Sequence, residues 1–134
     1  MTHPKFILVI LVAAMLCLPY PIVAGEVSKP TLLKRQELSG LNGKEGIMLT
    51  VTLSPGESSP MHRHNAHTFV YVLEGSVVMQ LEGEGPVTLK QGETFYESPE
   101  DIHKVSKNLS NTQSAKFLVF FVKNQGTPLL LPVR

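Results

Sequence analysis

The sequence predicts an all-β domain, either a sandwich or a barrel, and three observations support this. The apolar residues fall in many short runs rich in valine, phenylalanine and tyrosine, which favour strands. Glycine and proline separate these runs at regular intervals, as turns do in all-β proteins. Beyond the first apolar segment no stretch keeps a helical period. About 110 residues remain after that segment, enough for one core but not for two.

The first segment, residues 1–25, has the pattern of a secretory signal. Lys5 supplies a positive charge, and Phe6 to Leu18 is an unbroken apolar stretch followed by small residues suited to cleavage. This stretch is too short to span a bilayer comfortably. We therefore expect an exported chain, periplasmic or secreted, that begins near Gly25 or Glu26 and has no membrane span after cleavage.

Charge and cysteine content restrict the partners. Cys17 is the only cysteine and would leave with the signal, so the mature chain has no disulfide and no thiolate ligand. Loss of Lys5 would leave eleven basic and eleven acidic residues. With no basic patch in that balanced composition, we expect no nucleic-acid partner.

Strands follow from alternation and from the turns between the runs. In the second run, Leu49, Val51 and Leu53 share one face. Glu74-Gly75 connects two runs so tightly that we predict a hairpin there. The predicted strands are Thr31–Leu38, Ile47–Leu53, Thr68–Leu73, Ser76–Leu81, Val87–Leu89, Glu93–Glu97, His103–Ser106 and Ala115–Lys123.

Three of the five histidines lie within six residues, as His62, His64 and His67. Histidine is the commonest metal ligand, and it binds through one ring nitrogen of the neutral form. His62 and His64 are two residues apart, so on an extended chain both side chains leave the same face. The pair precedes a β-branched and aromatic run that reads as a buried strand. The sequence therefore predicts a metal site at the mouth of a β structure.

This stretch resembles the first motif of the cupin superfamily, G-(x)5-H-x-H-(x)3,4-E-(x)6-G. Gly56, His62, His64 and Gly75 stand at the required spacings. The chain departs from the motif where the glutamate is expected, because it has Thr68 and Phe69 at those positions.

A second cupin motif, G-(x)5-P-x-G-(x)2-H-(x)3-N, is matched less closely by Gly92, Pro99, His103 and Asn108. The separation between Gly92 and His103 is kept, whereas the proline and the asparagine each stand one place late and Asp101 lies near the expected second glycine. The resemblance implies a double-stranded β-helix, or jelly-roll barrel, and it divides the chain. Its parts would be the signal at 1–25, an N-terminal strand and linker at 26–45, a cupin domain at 46–123 and an apolar tail at 124–134.

The same resemblance implies a divalent metal held by His62, His64 and His103, with iron, zinc, manganese, nickel or copper all suited to such ligands. We predict that Glu97 replaces the missing glutamate, as a ligand or as a partner of a ligand. Glu97 shares a face with Phe95, so its carboxylate would point inward, where burial is costly unless the group is paired. His67 is the alternative.

Three functions remain open at this point, and one of them is a jelly roll without metal whose pocket is a plain apolar binding site. Small cupins include dioxygenases and isomerases, which implies a metal-dependent enzyme acting on a small organic molecule. They also include non-enzymatic binders, which implies a module that senses or sequesters a ligand or a metal. No catalytic residue beyond the metal site is assigned. The apolar tail, rich in leucine between Pro128 and Pro132, predicts a covered sheet edge or a homodimer.

Overall fold

The computed structural model describes residues 30–133, and these form ten strands in two five-stranded sheets. The strands are β1 (Thr31–Glu37), β2 (Lys44–Leu53), β3 (His62–Arg63), β4 (His67–Glu74), β5 (Ser76–Leu81), β6 (Val87–Lys90), β7 (Thr94–Glu97), β8 (His103–Asn108), β9 (Ala115–Asn124) and β10 (Leu131–Pro132). The predicted signal at 1–25 and residues 26–29 lie outside the described residues. Between residues 30 and 133 there is no helix that could cross a membrane.

The first sheet has the order β1-β2-β9-β4-β7, and its centre is the pairing of β2 with β9. These two strands pair along their whole length, from Lys44 opposite Asn124 to Leu53 opposite Ala115. Alternate residues of β9 are buried, which gives an inward face and an outward face. The predicted face of β2 is confirmed, since Leu49 and Leu53 are buried and Val51 packs against the core. The long pairing also explains why β2 begins earlier than its apolar pattern predicts.

The second sheet has the order β10-β3-β8-β5-β6 and is also antiparallel. Strand β8 runs on to Asn108, further than predicted, because Asn108 still pairs with Val77 of β5. Valine and methionine side chains of the second sheet join those of the first in one core. The two packed sheets confirm the predicted all-β jelly-roll barrel.

The predicted hairpin at Glu74-Gly75 is wrong, because β4 and β5 lie in different sheets. Strand β4 already has β9 on one edge and β7 on the other, so neither edge is free for β5. Gly75 instead turns the chain at a corner with a φ of 74°. A Cβ there would lie 3.0 Å from the carbonyl oxygen of Ser114, so the corner needs glycine for space as well as for conformation.

The tail covers a sheet edge of its own chain. Leu131 and Pro132 form β10, which pairs with Arg63 and His62 of the two-residue strand β3. Without β10, the short strand β3 would be the exposed edge of the second sheet. The tail therefore supports the stretch in which the histidines lie.

Candidate metal centre

A bend directly after β3 brings the histidine loop to the mouth of the barrel. Asn65 has a φ of 44°, in the left-handed region that asparagine adopts more readily than most residues. This bend ends the short extended stretch of His62 to His64 and leads into β4. Ala66, the next residue, is buried in the core and holds the bend in place.

The rings of His62 and His64 are oriented by backbone carbonyl oxygens. Nδ1 of His62 lies 2.7 Å from the oxygen of Pro60, and Nδ1 of His64 lies 2.6 Å from the oxygen of Leu129. A carbonyl oxygen can only accept, so both Nδ1 atoms carry the proton and donate it. In the neutral rings, both Nε2 atoms therefore present lone pairs.

These two lone pairs face each other, since the Nε2 atoms of His62 and His64 are 3.1 Å apart. Two acceptors at that distance repel unless a proton or a cation lies between them or beside them. Burial lowers the pKa of both histidines below the ordinary 6.5, more than the bonds to the Pro60 and Leu129 carbonyls raise it. Both rings are therefore neutral at pH 7 and ready to bind a cation.

His103 completes the set from the neighbouring strand β8, where it stands directly opposite His62 in the sheet. Its ring is buried, and neither nitrogen makes a hydrogen bond to the described residues. One nitrogen from each of His62, His64 and His103 lies within 4.8 Å of the others, the only such group of ligands among residues 30–133. A buried nitrogen without a partner is costly, and a metal ion would satisfy it.

Glu97 reaches the same place from β7. It is 2% exposed, and its Oε1 lies 3.3 Å from Nδ1 of His103, although the angle does not make a hydrogen bond. Thr68 and Glu97 stand opposite each other in the pairing of β4 with β7. A carboxylate from the next strand thus lies beside the position from which the family's glutamate is missing. Contact with Nδ1 of His103 leaves Nε2 of that ring for a metal.

The alternative, His67, lies on the outer surface. It is exposed, and its Nδ1 is 2.7 Å from the hydroxyl oxygen of Tyr96. Thr68 is buried with its hydroxyl 3.5 Å from the carbonyl oxygen of Ala66. Of the predicted site residues, the structure therefore brings together His62, His64, His103 and Glu97, and it leaves His67 outside.

A cavity of about 400 Å³ opens beside the histidines, within the size range of small-molecule sites. Its walls come from both sheets and from the tail, and they are mainly aliphatic and aromatic. Leu129 and Leu130 of the tail line it as well. Sequence analysis singled out the tail but missed the Leu129 carbonyl as the acceptor that orients His64. Every residue has a carbonyl, so no sequence signal marks this one.

The donor set fits a divalent transition metal. Three imidazoles with aligned or unpartnered nitrogens suit zinc, iron, copper, nickel or manganese. The carbonyls of Pro60 and Leu129 supply the partners that metal-bound histidines usually have on their other nitrogen, and the carboxylate of Glu97 lies 3.3 Å from Nδ1 of His103.

Sequence comparison agrees with this fold. The family profile described as a cupin domain matches residues 49–121, which is more than half of the chain and contains all three histidines and Glu97. The chain belongs to the cupin family. No curated protein matches this cupin in sequence.

Solved structures similar to this cupin confirm the fold. An uncharacterized conserved protein with a double-stranded β-helix domain from Klebsiella pneumoniae has a TM-score of 0.66 and 12% identity, over 83% of this chain and 88% of its own. Oxalate oxidase in complex with the substrate analogue glycolate has a TM-score of 0.63 and 24% identity. The match covers 91% of this chain and 63% of the oxidase chain. The DMSP lyase DddQ from Ruegeria pomeroyi has a TM-score of 0.58 and 19% identity. The match covers 66% of this chain and only 43% of the lyase.

Proposed function

We propose that this cupin is a metal-dependent oxygenase that acts on a small organic molecule inside its barrel. One observation carries the proposal: the Nε2 lone pairs of His62, which is buried, and His64, which is half-buried, face each other at 3.1 Å. A cation resolves that arrangement, and His103 offers a third nitrogen to the same ion.

Three histidine ligands leave coordination positions open, and a metal held in this way can bind oxygen or a chelating substrate, or act as a Lewis acid. The protein's own residues do the rest. The carbonyls of Pro60 and Leu129 hold the rings of His62 and His64 in position. The carboxylate of Glu97 lies where it can hold the Nδ1 proton of His103. The apolar walls of the cavity keep water away from the substrate.

The structural relatives support an enzymatic role without choosing the reaction. Oxalate oxidase and a DMSP lyase share the fold, and their names describe an oxidation and an elimination. The sequence identities are low, and the lyase is more than twice as long as its matched part. The relatives therefore do not fix the reaction of this chain, and oxygenation is part of the proposal.

The second candidate function is a non-enzymatic module that senses or sequesters a metal or a small ligand. The absence of a glutamate at Thr68 favours it, because that absence removes the carboxylate that the family motif places at the metal. In the cavity wall the remaining carboxylates are Glu97, which faces His103, and Glu57. A module of this kind needs the same three histidines but no turnover.

Metal analysis followed by oxygen uptake separates the two. Protein purified without oxygen is expected to contain a divalent transition metal, and oxygen uptake is then measured with phenolic and thiol substrates. Metal binding with no turnover of any substrate supports the binding module. Failure to bind any divalent ion contradicts both and favours a plain apolar binding site.

Export and assembly belong to the same proposal. The signal-like segment supports a periplasmic or secreted chain, and the intact mass of protein from the cell envelope tests it. Strand β1 is exposed along its whole length, with Leu32 56% and Leu33 52% exposed. Within the described part of the chain no strand pairs with the outer edge of β1, which supports a homodimer. Light scattering should give twice the monomer mass, and a monomer at micromolar concentration would contradict it.

A further inference from the structure

The walls of the cavity restrict the substrate of this site more than the metal centre does. Apart from the three histidines, the polar side chains in the described wall are two glutamates, Glu57 and Glu97, and two serines, Ser59 and Ser106. Neither lysine nor arginine is found in that wall, and asparagine, glutamine, threonine and tyrosine are absent from it too. The remainder consists of aliphatic, aromatic and proline residues.

The nearest buried cation along the inward face of β9 is not available to a substrate. Lys123 stands two residues beyond Phe121, which lines the cavity, but it does not line the cavity itself. Its Nζ is held at 2.7 Å by Oε1 of Glu45 and at 2.8 Å by the carbonyl oxygen of Asn124. Among residues 30–133, an anionic group in the cavity would therefore meet no positive charge other than the metal.

Each polar class of substrate leaves something unpaired in this cavity. A dicarboxylate could give one carboxylate to the metal, but its second would be buried among apolar side chains with two glutamates in the same wall. A sugar would bring several hydroxyl groups to a wall that offers few partners for them. An apolar body instead gains from contact with Val51, Met79, Val119 and Phe121.

We infer that the cavity takes a neutral, apolar small molecule, of about the size of one substituted ring, that carries a single metal-binding head group. The head binds at His62, His64 and His103, and the body lies along the apolar walls. This inference rests on the proposed metal-dependent function, and it names the substrate class of that site.

The test compares two ligands that share a hydroxamate head group and differ in the body, and a third ligand, oxalate, that is a dicarboxylate. Zinc is loaded first, and its stoichiometry is measured. Calorimetry then compares acetohydroxamate, benzohydroxamate and oxalate. Burial of the phenyl ring should make benzohydroxamate bind at least about 10-fold more tightly than acetohydroxamate. Oxalate binding more tightly than benzohydroxamate to the zinc-loaded protein would overturn the substrate class and leave the metal-dependent function standing.

A probe without a head tests the body independently of the metal. Toluene titrated into metal-free protein should shift the methyl resonances of Met79 and Val119. If zinc does not bind but toluene does, the metal-dependent function fails while the apolar class stands. No shift at either methyl group with toluene would overturn the class, whatever the metal does.

A matched pair of variants sharpens the result. Val51→Arg adds a cation to the cavity wall, and Thr52→Arg adds the same cation on the exposed face of the same strand. Val51→Arg should weaken benzohydroxamate about 10-fold and strengthen oxalate, whereas Thr52→Arg should change neither. Equal effects of the two variants would contradict the inference.

Discussion

Two polar clusters lie beside the inward-facing side chains of β9, and among residues 30–133 only one of them has all its partners. In the first, Lys123 bonds to Glu45 at 2.7 Å, and Glu45 also accepts from Arg35 at 2.8 Å. The bond from Lys123 is the main reason that the pKa of Glu45 is below its usual value. The bond from Arg35 lowers this pKa further, whereas burial raises it. The second contains His62, His64 and His103, and His64 packs on Phe121, two residues before Lys123.

The first cluster stabilises the fold, whereas the second is a candidate functional site. Burial of polar groups requires partners, and the ion pair of Lys123 and Glu45 finds them within the chain. The histidine cluster has lone pairs that face each other and a ring without hydrogen bonds. The described residues leave this cluster incomplete, and a bound metal ion would complete it.

The largest expected effect is loss of metal from the incomplete cluster. His64→Ala removes one of the two facing nitrogens and should abolish stoichiometric metal binding. Metal content after dialysis, measured by mass spectrometry, gives the result. His67→Ala is the matched control, because His67 is exposed and bonded to Tyr96. Full metal content in the His64 variant would contradict the assignment.

Breaking the complete cluster should instead cost stability and spare the metal. Lys123→Met leaves Glu45 buried with only Arg35, and we expect a loss of about 3 kcal/mol in the free energy of unfolding. Urea denaturation measures it, with Lys116→Met on the same strand as the control.

The double variant Lys123→Met with Glu45→Leu distinguishes the ion pair from packing alone. Replacing both partners by apolar residues should recover most of the loss. A double variant as unstable as the single one would show that the buried charge of Glu45 is not the cause.

A smaller effect is expected where a carboxylate supports the histidine cluster. Glu97→Gln keeps the shape of the side chain but removes its charge beside Nδ1 of His103. Metal affinity should fall about 10- to 100-fold, as it does for other partners of metal ligands. Competition with a chelator measures it. Unchanged affinity in Glu97→Gln together with loss in His67→Ala would reverse the assignment.

The smallest effect concerns acid and the metal-free protein. Burial lowers the pKa of His62 and His64 from 6.5, so below that pH the unfolded chain binds protons that the folded chain does not. The stability from these groups is fully present above about pH 6.5 and is lost as the pH falls toward the lowered pKa values. Urea midpoints of chelator-treated protein from neutral to acidic pH test this.

The control for this pH dependence is the double variant His62→Gln with His64→Gln, which should show a flatter decline. The metal-loaded protein should retain its metal below pH 6.5. Protons displace the metal only when they bind the histidines of the folded site, and burial lowers the pKa of His62 there. Metal released above that pH would contradict histidine ligation.

Much of the fold could be predicted from the sequence, because alternation and turn residues are local signals. Eight of the ten strands, all except β3 and β10, follow from alternation and turn residues, as does the face shared by Leu49, Val51 and Leu53. The connection at Gly75 could not be predicted in the same way. Whether a tight turn makes a hairpin or a corner depends on which strands already occupy the edges of β4, and those strands are distant in sequence.

In the candidate site, too, features with a local sequence signal could be predicted, whereas contacts between distant residues could not. The histidines follow from motif spacing, and Glu97 follows from its phase with Phe95. The Leu129 carbonyl does not, since its contact with His64 joins residues 65 positions apart. The sequence does carry a signal for the burial of Lys123. This residue stands in phase with Phe117, Val119 and Phe121, which share the buried face of β9.

The bond from His64 to Leu129 also sets an order of events during protein synthesis. His64 leaves the ribosome 65 residues before the carbonyl that orients its ring. Strand β3 likewise waits for Leu131 and Pro132 before its edge is paired. The nascent chain therefore exposes the imidazoles of His62, His64 and His103 before it has a site that can select among metals. Metal choice should depend on the compartment in which the last strand docks.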